Sequence, residues 1–137
     1  MRKGMKAVLS LALVLCMVFS ISVMAFANAP SNDTAQPLFT YINRASATMD
    51  KGLLSTSVAA TANGTASVTK MTIKLELQKK SSGVYTTVKT WTETYNSRVA
   101  AADGSTTTSP LSTYRLKATF TAYAGTKSES HVIYVYE

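Results

Sequence analysis

One histidine, one cysteine and seven carboxylates are the whole stock from which this 137-residue chain can build an acid–base or metal site. His131 stands in a stretch that alternates like a strand, and no nucleophile motif accompanies it. A Ser-His-Asp hydrolase needs a histidine base held by a third group, so His131 reads as a filler or surface residue. A closed zinc site takes four Cys, His or carboxylate ligands in a set pattern, and one Cys with one His does not supply it. Asp33, Asp50, Glu76, Glu93, Asp103, Glu129 and Glu137 are scattered, without the spacing of a calcium loop. No phosphate-cradling glycine loop is present. A glycosidase pair is not set by spacing, because its two carboxylates meet only in space; two acids clustered in a cleft would be its sign. The inventory predicts no enzyme, no cofactor and no metal.

What the chain does hold is positive charge and tyrosine. Lys and Arg number 14 against 7 Asp and Glu, a net +7. Lys70 and Lys74 alternate with Met71, Ile73, Leu75 and Leu77, and Arg115 and Lys117 alternate with Tyr114, Leu116, Ala118 and Phe120. Successive side chains on a strand point to opposite faces, so all four cations point away from a core. On neighbouring strands, Lys70, Lys74, Arg115 and Lys117 form a face for polyanions, weakened by Glu76 beside Lys74. The plainer reading is a solvated face that keeps the sheet soluble and blocks edge association. Tyr85, Trp91, Tyr95, Tyr123, Tyr134 and Tyr136 divide in the same way, between a sugar-stacking platform and core lids with cross-strand pairs.

The element that must position these groups is the stretch 68–91. Its first half is a strand with one apolar and one polar side, Ser81-Ser82-Gly83 breaks it, and residues 84–91 return as a hairpin. Before it, residues 39–50 make a first strand with Ala45, Ala47 and Met49 on one face, and residues 53–62 a second with Leu54, Val58 and Ala60 inward. Asn63-Gly64 reads as a turn, since both residues tolerate positive φ. After the hairpin, residues 92–102 form a weaker strand with Tyr95, Val99 and Ala101 at even spacing, and residues 103–112 a polar loop. Residues 113–123 and 127–136 are the last two strands, and no segment past residue 27 shows helical apolar spacing. The pattern predicts an all-β chain, an antiparallel sandwich of about seven strands.

Arg2, Lys3 and Lys6 precede an uncharged apolar run that closes on Ala25-Phe26-Ala27. This order of positive start, apolar middle and small-x-small ending is that of a secretory signal peptide. A retained signal anchor would use the same run, but the Ala-x-Ala ending favours cleavage after Ala27. The expected organisation is a signal segment 1–27, a flexible leader 28–38 and a sandwich domain 39–137. Cleavage removes three of the 14 basic residues and leaves a net +4, and it removes Cys16, so the mature chain has no cysteine. Small secreted eukaryotic domains are often disulfide-rich; this style points to a Gram-positive bacterium and to a secreted, extracellular or wall-associated protein.

The second half resembles immunoglobulin-like and fibronectin type III modules. The resemblance rests on Leu111-Ser112-Thr113-Tyr114-Arg115-Leu116-Lys117-Ala118 and on Ala122-Tyr123-Ala124-Gly125-Thr126-Lys127-Ser128-Glu129-Ser130, and it spans residues 68–137. It implies that Tyr114 opens the sixth strand and bonds back to the preceding loop as a tyrosine corner. It also implies that the third and sixth strands are neighbours in one sheet. The chain departs from the pattern in having no tryptophan on the second strand and no cysteine pair. Leader included, the chain also resembles small secreted domain-of-unknown-function proteins of Gram-positive bacteria, which implies a location and no activity.

These readings converge on a secreted, non-enzymatic sandwich that binds a surface, a polymer or a protein. An anionic cell-wall polymer or a protein is the expected partner. Nucleic acid is not expected, the membrane is met only through the signal segment before cleavage, and the protein is expected to be a monomer. The alternative is a small secreted toxin or bacteriocin-like protein, and a third reading is an enzyme with an unrecognised site.

Overall fold

The computed structural model describes residues 39–137; the expected signal segment and leader lie outside the described residues. Seven strands follow in chain order: β1 Ile42–Lys51, β2 Ser55–Gly64, β3 Lys70–Ser81, β4 Val84–Tyr95, β5 Val99–Thr107, β6 Tyr114–Ala124 and β7 Lys127–Tyr136. They form two antiparallel sheets, one ordered β1-β2-β5 and the other β4-β3-β6-β7. The chain crosses between sheets from β2 to β3, from β4 to β5 and from β5 to β6. This is the expected antiparallel β-sandwich. In a constant-type immunoglobulin domain the fourth strand joins the first sheet; here β4 stays beside β3 as a hairpin partner.

β3 and β6 are central because their alternation is the cleanest. Met71, Ile73, Leu75 and Leu77 are fully buried on β3, as are Leu116, Ala118, Phe120 and Ala122 on β6. Slipping either strand by one residue would turn that whole set to water, so the register is strongly specified: Leu75 lies opposite Ala118 and Glu76 opposite Lys117. The facing sheet supplies small residues, Val58, Ala60, Ala62, Ala100 and Ala102, all buried. Large side chains from one sheet thus fill against small ones from the other, which lets the two layers approach closely. Each fully buried Leu or Ile contributes roughly 1.5–3 kcal/mol by removal from water. The β3–β4 turn is two residues long, and Ser82 and Gly83 both take positive φ, +50° and +81°, as the twist of a tight hairpin demands.

Tyr114 is buried, and its hydroxyl accepts a hydrogen bond from the Ser109 N–H at 3.1 Å. That is the corner the resemblance implies. A contact not anticipated is a hydrogen bond of 2.8 Å between the buried hydroxyls of Thr56 and Thr108.

β1 begins at Ile42, which is buried, and Tyr41 before it packs half-buried against the core. Three expectations are corrected. Leu54 is not inward but 63% exposed, because it precedes β2 and Thr56 takes the first buried position. Asn63-Gly64 ends β2 instead of turning; the next link crosses between sheets through Thr65, whose N–H donates to the Tyr41 carbonyl at 2.9 Å. The fifth strand is displaced and inverted: residues 92–95 extend β4, and Asp103 to Thr107 belong to β5. Ala100 and Ala102 face inward while Val99 is 55% exposed. The larger side chain is outside because the indole of Trp91 already fills the space over β5. A methyl group on Gly104 would come within 2.4 Å of that ring.

Candidate functional site

The paired registers assemble the outer face of the four-stranded sheet row by row. Gln78 on β3 lies beside Thr87 on β4 and Arg115 on β6, and Arg115 lies beside Tyr136 on β7. The next row is Thr90, Glu76, Lys117 and Tyr134, followed by Thr92, Lys74, Thr119 and Val132. Thr94, Thr72, Thr121 and Ser130 come after it, and Lys70 pairs with Tyr123 at the far end. Lys80 and Tyr85 stand beyond Gln78 at the near end. In these rows the cations Lys70, Lys74, Lys80, Arg115 and Lys117 meet a single carboxylate, Glu76. The outer rows of the other sheet are built mainly from Ser, Thr and Ala, with Asn63 and Val99, the acids Asp50 and Asp103 and the cation Arg44. Positive charge is therefore concentrated on the four-stranded face.

All four cations expected on one face lie on it, because β3 and β6 are neighbours. They are not equivalent. Glu76 sits between Lys74 and Lys117, 3.4 and 3.5 Å from their ammonium groups. Lys70 lies 4.2 Å over the Tyr123 ring. Among the described residues Arg115 has no carboxylate partner. Its Nε donates to the Gln78 side-chain oxygen at 2.7 Å, and Nη1 donates to the Tyr136 hydroxyl at 3.3 Å. The guanidinium carbon is 4.0 Å from the Tyr85 ring centre, 4.6 Å from Tyr134 and 5.8 Å from Tyr136. A cation over an aromatic face is held by the ring quadrupole, by about 0.5–1 kcal/mol where exposed.

Of the six aromatic residues weighed between a platform and core lids, Tyr85, Tyr134 and Tyr136 gather around Arg115, a meeting that spacing did not indicate. Tyr134 and Tyr136 are two apart on β7 and so share a face, which the alternation already indicates. Their meeting with Arg115 depends on the β6–β7 register, and Tyr85 joins them only through the β3–β4 hairpin. That hairpin carries a bulge: Leu77 pairs with Lys89 but Gln78 with Thr87, leaving Val88 as the extra residue. The bulge sets Thr87 beside Gln78, whose amide donates to the Thr87 hydroxyl at 3.2 Å. Trp91 is instead opposite Leu75 and packs toward the core. Tyr95 lies opposite Met71 on that same inner side, away from the tyrosine cluster.

His131 sits opposite Phe120 on the inner side of β7, against the Phe39 ring at 4.5 Å. Its Nε2 is shut off from solvent without a hydrogen-bond partner. Burial lowers its pKa from the usual 6.5, and the neighbouring Glu129 charge opposes that shift. The Glu129 carboxylate is itself taken up by the N–H groups of Thr40, Tyr41 and Ile42, at 2.8 to 3.0 Å. Among the described residues no three His, Cys, Asp or Glu groups come together.

Compared with protein-family models, with curated proteins and with solved structures, the chain finds no match. The face itself therefore carries the functional argument. It offers fixed positive charge, hydroxyl rows and exposed aromatic rings, a surface suited to holding an extended anionic ligand.

Proposed function

We propose that this protein is a secreted, non-enzymatic module that holds an anionic cell-wall polymer on the outer face of its four-stranded sheet. The observation that carries this reading is the concentration of positive charge there, five cations against Glu76 on that face. Fixed cations in a row raise the local concentration of a polyanion and hold it in a salt-dependent way. The open sheet face suits an extended chain, and the threonine rows offer hydroxyls to its polar groups. A monomer suffices, because the face lies within one copy.

The test replaces Lys70, Lys74, Arg115 and Lys117 by Glu and measures retention on purified cell wall near physiological salt. Wild-type protein is expected to be retained and then released within a few hundred millimolar of added salt, since the screening length shrinks from about 8 Å to about 3 Å by 1 M. Equal retention of the folded variant would refute the proposal.

A further inference from the structure

The outer face is not uniform, and its near end carries more than charge. Three tyrosines gather there around the one arginine, and a buried glutamine orients that arginine. We infer that this end is a subsite for a sugar unit bearing an anionic group, with Arg115 taking the anion and Tyr134 and Tyr136 taking the sugar ring. The inference rests on the reading of this face as a polyanion surface.

The arginine is pre-set for such a role. Gln78 is only 8% exposed, and its two amide atoms are fixed by Thr87 and by Arg115 Nε. A guanidinium has five N–H donors in a planar fork. One goes to Gln78 and one to Tyr136, which leaves donors of the Nη groups for a carboxylate or phosphate oxygen. Lys74 and Lys117 already share Glu76; Arg115 has no such carboxylate to displace.

The rings supply the second half of the recognition. Tyr134 and Tyr136 are 44% and 57% exposed, with ring centres 6.4 Å apart and planes tilted by 31°. Neither closes the core, since both point away from it on β7. An aromatic face is electron-rich, and the axial C–H bonds of a sugar ring are slightly positive, so the two attract while the sugar's apolar side leaves water. β7 is also an edge strand, which leaves room beside the rings for a chain that continues past them. A polyanion without rings, such as polyphosphate, meets the same cations but has no sugar face to set against the tyrosines.

That difference is the test. Binding of three probes is measured by calorimetry at low salt: a linear hexasaccharide of uronic acid, inorganic polyphosphate of matched charge, and a neutral hexasaccharide. The variant Tyr134→Ala/Tyr136→Ala is expected to lose about tenfold in affinity for the uronate, about 1.4 kcal/mol, and less than twofold for polyphosphate. Arg115→Gln is expected to weaken both anions, and the neutral sugar to bind wild type far more weakly than the uronate. Should the alanine variant unfold, Tyr134→Leu/Tyr136→Leu keeps the apolar bulk and carries the same expectation. Equal effects of the tyrosine changes on uronate and polyphosphate would overturn the sugar subsite while leaving the polyanion face standing. Equal binding of neutral and anionic sugars would overturn the role given to Arg115. Failure of wild type to bind either anion would overturn both readings.

Discussion

The side-chain oxygen of Gln78 accepts a hydrogen bond from Arg115 Nε at 2.7 Å, across the β3–β6 pairing and beneath three tyrosine rings. A buried amide thus sets the direction of the cation at the near end of the proposed binding face. Gln78→Leu keeps the bulk and removes both hydrogen bonds. It is expected to cost about 1 kcal/mol of stability, read from the urea midpoint, and to lower polyanion affinity more than its effect on the fold accounts for. An affinity equal to wild type would mean that orienting Arg115 is irrelevant to binding.

Gly104 on β5 is where the Trp91 indole rests. Gly104→Ala sets a methyl group 2.4 Å from that ring and is expected to destabilise the fold by about 1–3 kcal/mol through overpacking. Trp91→Leu should relieve the clash, so the double variant is expected to lose less than the two single changes together, the signature of direct contact. Additive losses would show that the ring does not lie on β5.

The extent to which this fold is legible in the chain follows from how each strand is buried. β3 and β6 are buried on one side, so their alternation and the outward direction of Lys70, Lys74, Arg115 and Lys117 can be read directly, while their common sheet follows only from the resemblance to immunoglobulin-like modules. The Tyr114 corner is legible through the same resemblance, and the contact it implies is local, five residues back to Ser109. β5 is not, because its inward residues are Ala100 and Ala102 while Val99 points outward; only the tryptophan of another strand explains that choice. The Arg115 cluster is likewise hidden, since it depends on two registers and on the extra residue at Val88.

Tyr114→Phe removes the acceptor of the Ser109 N–H and leaves that donor partly buried without a partner. The expected loss is about 1–2 kcal/mol, seen as a lower urea midpoint with an unchanged slope. An unchanged midpoint would mean that the corner contributes nothing to stability.

The lowered pKa of His131 fixes the sign of one pH effect. Between its folded value and the usual 6.5, the unfolded chain binds more protons than the folded one, so stability rises with pH in that interval. The contribution is complete above about 6.5 and is lost as pH falls through the folded value. Unfolding in urea at a series of pH values from about 7.5 to about 5 should show this decline, and His131→Phe, which keeps a ring against Phe39, should flatten it. An equally steep decline in the variant would assign the effect to other groups.

The most direct measurement of the central claim is a titration of isotope-labelled protein with polyphosphate, followed by amide and side-chain NMR shifts. The account predicts that shifts concentrate on β3, β6 and β7, with the Arg115 Nε–H and the Lys117 row moving most, and that they vanish at high salt. Shifts centred on β1, β2 and β5, or none at a concentration that saturates retention on cell wall, would contradict it.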